Sequence, residues 1–216
     1  MSQIATESPR EERGPSDPPR LDRSATDADW RDASIGLLHA NLLAVALIPL
    51  LGALVLVPYA LLWGIPGIVA TEAEWRYEYA SPVESTLTFV SLLFGAIVVH
   101  ELLHGVGFYC IAKIPRAKIG FGIKWLTFTP YCHCAEPMTA AAYRWAVALP
   151  TLVLGVLPGL IGILTGSFLP AFWAVIMLVS GSGDLAILWA IRAVPASATV
   201  RDHPAHAGCL VRADPA

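Results

Sequence analysis

Four long apolar runs dominate the chain, and shorter polar stretches separate them. About 20 apolar residues in a helix, at about 1.5 Å of rise per residue, are enough to cross the hydrocarbon core of a membrane. The third run contains Pro150 and Pro158, which should kink it, and neighbouring helices can tolerate such a kink. The pattern therefore predicts four membrane-spanning helices: Leu37–Leu62, Leu87–Cys110, Trp145–Leu164 and Phe168–Ile191.

The segments outside these runs carry further expectations. Residues 1–34 combine eight acids, five arginines and four prolines without apolar periodicity, which predicts a disordered acidic tail. In the loop of residues 111–144, an alternating pattern from Ala117 to Trp125 predicts a strand or short hairpin at the membrane surface. The predicted fold class is an all-α membrane protein, a bundle of about four transmembrane helices with a small interfacial β segment in this loop. The expected order is a tail, a transmembrane domain and a cytoplasmic C-terminal tail: residues 1–34, 35–195 and 196–216.

Composition excludes several classes of protein. The 216-residue chain is 56% hydrophobic and 14% charged, with a mean hydropathy of +0.60, whereas soluble domains are about 25% charged. A chain this apolar is neither a cytosolic globule nor disordered over most of its length. The net charge of −3, without a cluster of Lys and Arg, argues against a nucleic-acid partner. Four irregularly spaced cysteines do not form the pattern of a disulfide scaffold.

The distribution of basic residues predicts the orientation in the membrane. Four spans would place both termini and the loop of residues 111–144 on the same side. That side holds thirteen of the fourteen Lys and Arg residues, and the loop between the first two spans holds only Arg76. By the positive-inside rule, we expect a multi-pass protein of the cell membrane with both termini in the cytoplasm.

Ionisable residues are rare within the predicted spans: they are His39, His100, Glu101, His104 and Asp184. Such residues are costly in a membrane and point to functional sites, although His39 lies at the edge of its span, where a histidine is ordinary. His100, Glu101 and His104 form the pattern HExxH, in which two histidines share one helix face and can bind one zinc ion. The glutamate can then act on a zinc-bound water as a general base. The alternative is a buried polar cluster that only packs helices.

Asp184 is the candidate third metal ligand, because a catalytic zinc usually has three protein ligands. His104 lies eight residues before Ala112, and Asp184 lies eight residues before Arg192. Both are therefore about 12 Å from the cytoplasmic ends of their helices. The small residues of Ser180–Gly183 would let helices approach closely. A carboxylate that only packs against a neighbouring helix is the alternative.

The loop of residues 111–144 contains two candidates for contact with a substrate, His133 and Glu136, on the cytoplasmic side of the site. The run Cys132–Cys134 lacks the spacing and the second ligand pair of a typical metal site. The extended segment could bind a substrate strand at its edge or anchor the loop at the membrane surface.

Three segments of the sequence are similar to a known family: HELLHGVGFY, TPYCHCAEP and GSGDLAILW. They resemble bacterial and archaeal multi-spanning proteins described as putative zincin peptidases, over about residues 35–215. That family is similar in layout to the site-2 proteases, which are intramembrane zinc enzymes. The resemblance implies that His100 and His104 are zinc ligands, with Asp184 as the third, and that Glu101 is the catalytic carboxylate. Site-2 proteases usually place the aspartate in a Leu-Asp-Gly-like element, whereas the context here is Gly183-Asp184-Leu185.

The resulting prediction is a zinc-dependent, membrane-embedded endopeptidase. Its expected cofactor is Zn²⁺, and its expected partners are a membrane protein or peptide substrate and the lipid bilayer. The rival prediction is a non-enzymatic metal-binding membrane protein, either a regulator or a transporter. A transporter needs polar residues along a pathway, whereas the first and third spans are almost purely apolar. Inactive relatives of proteases usually lack the glutamate of HExxH, and Glu101 is present.

Overall fold

The computed structural model of the protein describes residues 29–64, 81–124, 129–204 and 206–213. The helices of this part of the chain are α1 Leu37–Trp63, α2 Pro82–Cys110, α3 Ala140–Pro150, α4 Leu157–Thr165, α5 Phe168–Ser180 and α6 Ser182–Ala190. The strands are β1 Trp30–Ile35, β2 Ile119–Lys124, β3 Thr129–Cys134, β4 Met138–Thr139, β5 Thr199–Asp202 and β6 Ala207–Arg212. Residues 1–28 of the expected tail, and Trp125 at the end of the expected strand, lie outside the described residues.

The four apolar runs form helices, as predicted. Within the described residues, three helical segments are long and apolar enough to cross a membrane: Val45–Trp63, Pro82–Cys110 and Ala140–Thr165. The helices α5 and α6 qualify together as a fourth, with a bend of 50° between them. The mostly helical architecture confirms the main part of the predicted fold class, and the membrane assignment rests on helix length and composition.

The start of α2 is determined by a capping box rather than by the apolar run. The Ser81 hydroxyl accepts a hydrogen bond from the Glu84 N–H at 3.2 Å, and the Glu84 carboxylate accepts one from the Ser81 N–H at 3.2 Å. Pro82 occupies the start of the first turn, where its missing N–H costs nothing. The helix therefore begins earlier than the predicted span.

The two prolines of the third run flank a π-helical turn, Thr151–Val156, which joins α3 to α4. Pro150 is the last residue of α3, and Pro158 lies in the first turn of α4. The run stays helical from Ala140 to Thr165, because a wider turn accommodates a residue that cannot donate a backbone hydrogen bond.

The fourth run is broken at Gly181, between α5 and α6. The sequence Ser180–Gly183 consists only of serine and glycine, which are weak helix formers. The prediction of one continuous helix over this run is therefore wrong, and the break places Asp184 in the first turn of a new helix.

The described part of the chain also contains two antiparallel sheets outside the helices. The hairpin of β2 and β3 confirms the extended segment predicted in the loop. A four-stranded sheet has the order β1-β6-β5-β4, so the all-α description of the fold class is incomplete. Its strands include residues 30–34 of the expected disordered tail and two segments of the C-terminal tail, β5 and β6. β1 pairs with β6 from Trp30↔Arg212 to Ile35↔Ala207. This pairing joins segments that are far apart in the sequence. The sequence of β1, WRDASI, does not alternate regularly between apolar and polar residues, so it did not predict a strand.

Among the residues that the structure describes, the buried apolar side chains form two clusters. One cluster joins α3 to the sheet and to the end of α2, and its largest fully buried members are Tyr143, Ile191 and Val200. The other joins α1 to α5 around Tyr59, whose hydroxyl donates to the Gly166 carbonyl at 2.8 Å. Many large apolar side chains on the helices remain exposed, as expected for helices that contact lipid.

Candidate metal centre

His100 and His104 lie one turn apart on the same face of α2, as the HExxH spacing predicts. Their ring centroids are 4.9 Å apart and the rings are nearly perpendicular, at 82°. Both side chains are largely buried, with exposed fractions of 17% and 11%. The helix therefore holds two imidazoles in a sheltered position from which they can reach a common point.

Asp184 of α6 completes the group. Its Oδ2 lies 3.0 Å from His100 Nε2, and its Oδ1 lies 3.4 Å from His104 Nε2. One ligand atom from each of the three residues lies within 4.8 Å of the others. Residues from two helices that are far apart in the sequence thus converge on one site.

The donor set fits a zinc ion. Two imidazole nitrogens and one carboxylate oxygen are the ligand types that catalytic zinc prefers, with one position left for water or substrate. Asp184 Oδ2 is buried, and although it lies close to His100 Nε2, it accepts no well-aligned hydrogen bond. A buried carboxylate oxygen without a partner is costly, and a cation between these three side chains would satisfy it.

The Ala146 carbonyl, which Pro150 leaves without a helical donor, is the hydrogen-bond acceptor that orients His104. Because proline has no N–H, the carbonyl of Ala146 lacks its normal helical partner four residues later. His104 Nδ1 lies 3.1 Å from that carbonyl oxygen, so the hydrogen of a neutral ring is on Nδ1 and the lone pair of Nε2 faces Asp184. Partners of this kind commonly orient histidine ligands of metals.

The approach of α3 to α2 depends on Gly107. A Cβ atom at this position would lie 2.6 Å from the Ala146 Cα and 3.2 Å from its carbonyl oxygen. Such distances are far below van der Waals contact, so only glycine allows the two helices to be this close. The same contact brings the Ala146 carbonyl within reach of His104, which is on the same face of α2.

Two contacts position α6 and its aspartate. The Asp184 N–H donates to the Gly181 carbonyl at 3.0 Å in the turn that starts the helix, where a carboxylate also interacts favourably with the helix dipole. At the other end, the Arg144 guanidinium of α3 donates to the carbonyls of Ile191 and Val194. The same helix α3 therefore orients both His104 and the element that carries Asp184.

Glu101 faces the β2–β3 hairpin. The backbone N–H of Cys132 donates a hydrogen bond to the Glu101 carboxylate. The hairpin packs on α2 next to it, where a Cβ at Gly105 would lie 2.3 Å from the Phe121 ring. Burial, together with the nearby Glu101 carboxylate, raises the pKa of the Cys132 thiol to about 12. The predicted β segment thus covers the HExxH turn and contacts its glutamate.

The two residues predicted to contact substrate have polar partners outside the metal-ligand group. His133 Nδ1 lies 2.9 Å from Asp202 Oδ2, and this hydrogen bond raises the pKa of His133. Glu136 pairs with Lys118 at 2.9 Å on the exposed surface. Both residues stay predictions as substrate contacts.

Asp202 is a structural residue that the sequence reasoning missed. Besides His133, its carboxylate accepts hydrogen bonds from the Cys134 N–H at 3.3 Å and the Tyr143 hydroxyl at 2.9 Å. It therefore links the hairpin, α3 and the four-stranded sheet. The one feature of the sequence that pointed to Asp202 is the segment that begins Asp202-His203-Pro204, because it places polar residues in an apolar chain without an obvious local role.

A second group of potential ligands in the described part of the chain comprises Asp32, His203 and His206. The backbone N–H of His206 donates to His203 Nδ1 at 2.8 Å, which places the hydrogen of a neutral ring on Nε2. That nitrogen lies 3.9 Å from Asp32 Oδ2. In this arrangement the group is a polar contact between β1 and the turn before β6, and a metal ion at Nε2 would have to displace that hydrogen. The run Cys132–Cys134 does not belong to either group.

Two histidines one helical turn apart, with a glutamate next to the first, form the HExxH pattern typical of zincins, and here an aspartate from a second helix lies beside them. In agreement, a family model described as "Putative zincin peptidase" matches residues 93–199, and this segment contains all four of these residues. The comparisons with curated proteins and with solved structures gave no match.

Proposed function

We propose that the protein is a zinc-dependent endopeptidase, embedded in a membrane, that hydrolyses peptide bonds of membrane-associated proteins. The observation that carries this proposal is the convergence of His100, His104 and Asp184 beside Glu101. The match of residues 93–199 to the family model supports zinc and peptidase chemistry. The length and apolar composition of the helices support a location in the membrane.

In this proposal His100 Nε2, His104 Nε2 and one Asp184 oxygen hold the zinc ion. Zinc, when bound, polarises a peptide carbonyl and makes a water molecule more acidic. Glu101 takes the proton from the attacking water and passes it to the leaving amine. The hydrogen bond from the Cys132 N–H orients the Glu101 carboxylate for this task.

The cytoplasmic side is the proposed entrance to the site. Thirteen of the fourteen basic residues would lie on the side of the termini and of the hairpin. Hydrolysis requires water, and the β2–β3 hairpin next to Glu101 is the part of the site nearest to that side. His133 and Glu136 would meet the substrate there.

The outer edge of β3 is better suited to position Glu101 than to bind a substrate strand. The N–H groups of Cys132 and Cys134 on β3 already have carboxylate acceptors, Glu101 and Asp202. A substrate strand that paired with β3 would have to compete for these donors. The outer edge of β2, which pairs with no other strand among the described residues, is therefore the better candidate for pairing with an extended substrate.

Glu101→Gln tests the proposed activity, because it keeps the shape of the side chain but removes the general base. Loss of a general base typically lowers the rate about 10²–10⁴-fold. Membrane proteomics should show membrane proteins that accumulate uncut in a Glu101→Gln strain and in a His100→Ala strain, and the uncut species should co-purify with the Glu101→Gln protein.

The matched comparison is metal content, which Glu101→Gln should preserve and His100→Ala should abolish. A regulator or transporter would give a different pattern. Glu101→Gln would then leave the membrane proteome unchanged while His100→Ala alters it, with normal expression of both variants. That pattern would refute the peptidase and leave only a metal site.

A further inference from the structure

Two buried side-chain polar atoms lack a hydrogen-bond partner in the described part of the chain, Asp184 Oδ2 and Thr151 Oγ1. The first belongs to the proposed metal centre. Thr151 is also deeply buried, with 5% of its surface exposed. A buried hydroxyl without a partner is unfavourable and calls for an explanation, such as a ligand that binds there.

The Thr151 hydroxyl lies beside the metal centre. A Cβ atom at Gly181, if one were present, would be 2.8 Å from Thr151 Oγ1 and 3.7 Å from His100 Cε1. The hydroxyl and the imidazole therefore lie on the same side of Gly181, together with the Met177 carbonyl oxygen at 3.3 Å from the same Cβ position. His100 Cε1 is bonded to Nε2, the nitrogen that faces Asp184.

Other threonines show how this hydroxyl could have been satisfied within a helix. Thr86 Oγ1 donates to the Pro82 carbonyl at 2.8 Å, and Thr165 Oγ1 donates to the Ile161 carbonyl at 2.7 Å. Thr151 does not form such a bond four residues back. It is instead the first residue of the π-helical turn, and turns of this kind are frequent at functional sites.

We propose that Thr151 belongs to the active site and donates a hydrogen bond to the carbonyl oxygen of the scissile peptide bond. The inference rests on the proposed function, since it needs a substrate carbonyl at the metal centre. Negative charge develops on that oxygen when water attacks the carbonyl carbon. A donor already placed in a sheltered site stabilises this charge more than it stabilises the neutral substrate.

The experiment uses full-length protein purified in detergent and loaded with Co²⁺, whose absorption reports the coordination of the ion. The probe is acetohydroxamate, which offers a carbonyl oxygen to a metal centre. Thr151→Val removes the hydroxyl while keeping the shape, Thr151→Ser retains it, and Thr165→Val removes a hydroxyl elsewhere in the same helical run. Two dissociation constants are measured for each variant, those of Co²⁺ and of acetohydroxamate.

We expect Thr151→Val to weaken acetohydroxamate binding about fivefold to tenfold, as for the loss of one hydrogen bond. Its Co²⁺ dissociation constant should stay within about twofold of that of the unmodified protein, since Thr151 is not a ligand. Thr151→Ser and Thr165→Val should bind both like the unmodified protein. If Thr151→Val does not fold, Thr151→Ala makes the same comparison.

Equal acetohydroxamate binding by the unmodified protein and Thr151→Val would overturn the role of Thr151 and leave the metal site intact. A parallel loss of Co²⁺ affinity would also overturn it, because Thr151 would then support the ligands rather than the substrate. An unmodified protein that binds no Co²⁺ would instead refute the proposed function itself, together with this inference.

Discussion

Gly107→Ala should weaken metal binding at a site that it does not touch. A Cβ at Gly107 would lie 2.6 Å from the Ala146 Cα and 2.9 Å from its Cβ. Carbon atoms in contact are about 3.5–4.0 Å apart. Helices α2 and α3 must therefore separate by about 1 Å, because the clash is with backbone and a methyl group that cannot rotate away.

This separation would break the hydrogen bond that orients His104. The distance from His104 Nδ1 to the Ala146 carbonyl is 3.1 Å and would rise to about 4 Å, beyond the range of a hydrogen bond. Loss of such a partner of a metal ligand typically costs about 10–100-fold in metal affinity. The overpacking itself should lower the free energy of unfolding by about 1–3 kcal/mol.

The assay is zinc affinity by competition with a chelator, on protein purified in detergent, with thermal unfolding of the metal-free protein measured in parallel. Gly95→Ala is the matched control, because Gly95 lies on the same helix and a Cβ there would meet nothing within 4 Å. Gly95→Ala should bind zinc normally. Normal zinc affinity in Gly107→Ala, or an equal loss in Gly95→Ala, would refute the proposed link between helix spacing and the metal centre.

Three further predictions follow from single contacts. The hydrogen bond to Asp202 raises the pKa of His133 above its ordinary value of 6.5. The stabilisation that protonated His133 gives the fold is therefore complete below about pH 6.5 and is lost as the pH rises through the pKa of His133 in the folded protein. Asp202→Asn should remove this pH dependence of the thermal midpoint, and an unchanged profile would contradict it. Burial raises the pKa of Cys132 and Cys209 to about 12, so iodoacetamide at pH 8 should label the exposed Cys110 first, and mass spectrometry that shows equal labelling would disprove this. Reporter fusions after Pro115 and Ala216 should read cytoplasmic and one near Trp75 external, and a cytoplasmic signal at Trp75 would invert the proposed orientation.

The parts of the fold and site that sequence patterns predicted are those encoded by local spacing. His100 and His104 are four residues apart, so the periodicity of a helix alone puts them on one face. The long apolar runs similarly predict helices without knowledge of their neighbours. Asp184 could be predicted as the third ligand because the second and fourth predicted spans run in the same direction. His104 and Asp184 are the same number of residues from the cytoplasmic ends of these spans and therefore lie at the same depth.

The features that were missed depend on contacts between segments that are far apart in the sequence. The Ala146 carbonyl accepts a hydrogen bond from His104 because Pro150, four residues later, has no N–H to offer it. The close approach of the two helices at Gly107 brings this carbonyl within reach of His104. The pairing of β1 with β6 and the bonds of Asp202 join residues whose neighbours in the sequence carry no matching signal. The break at Gly181 was visible as a run of weak helix formers, but the run was interpreted only as a close-packing surface.

Metal analysis of the purified protein tests the central proposal most directly. The full-length protein should contain close to one zinc ion per chain after removal of loosely bound metal. The double variant His100→Ala with His104→Ala should contain none, and Asp184→Ala should retain zinc only weakly. Stoichiometric zinc in the double variant would show that the ion binds elsewhere and would contradict the proposed metal centre.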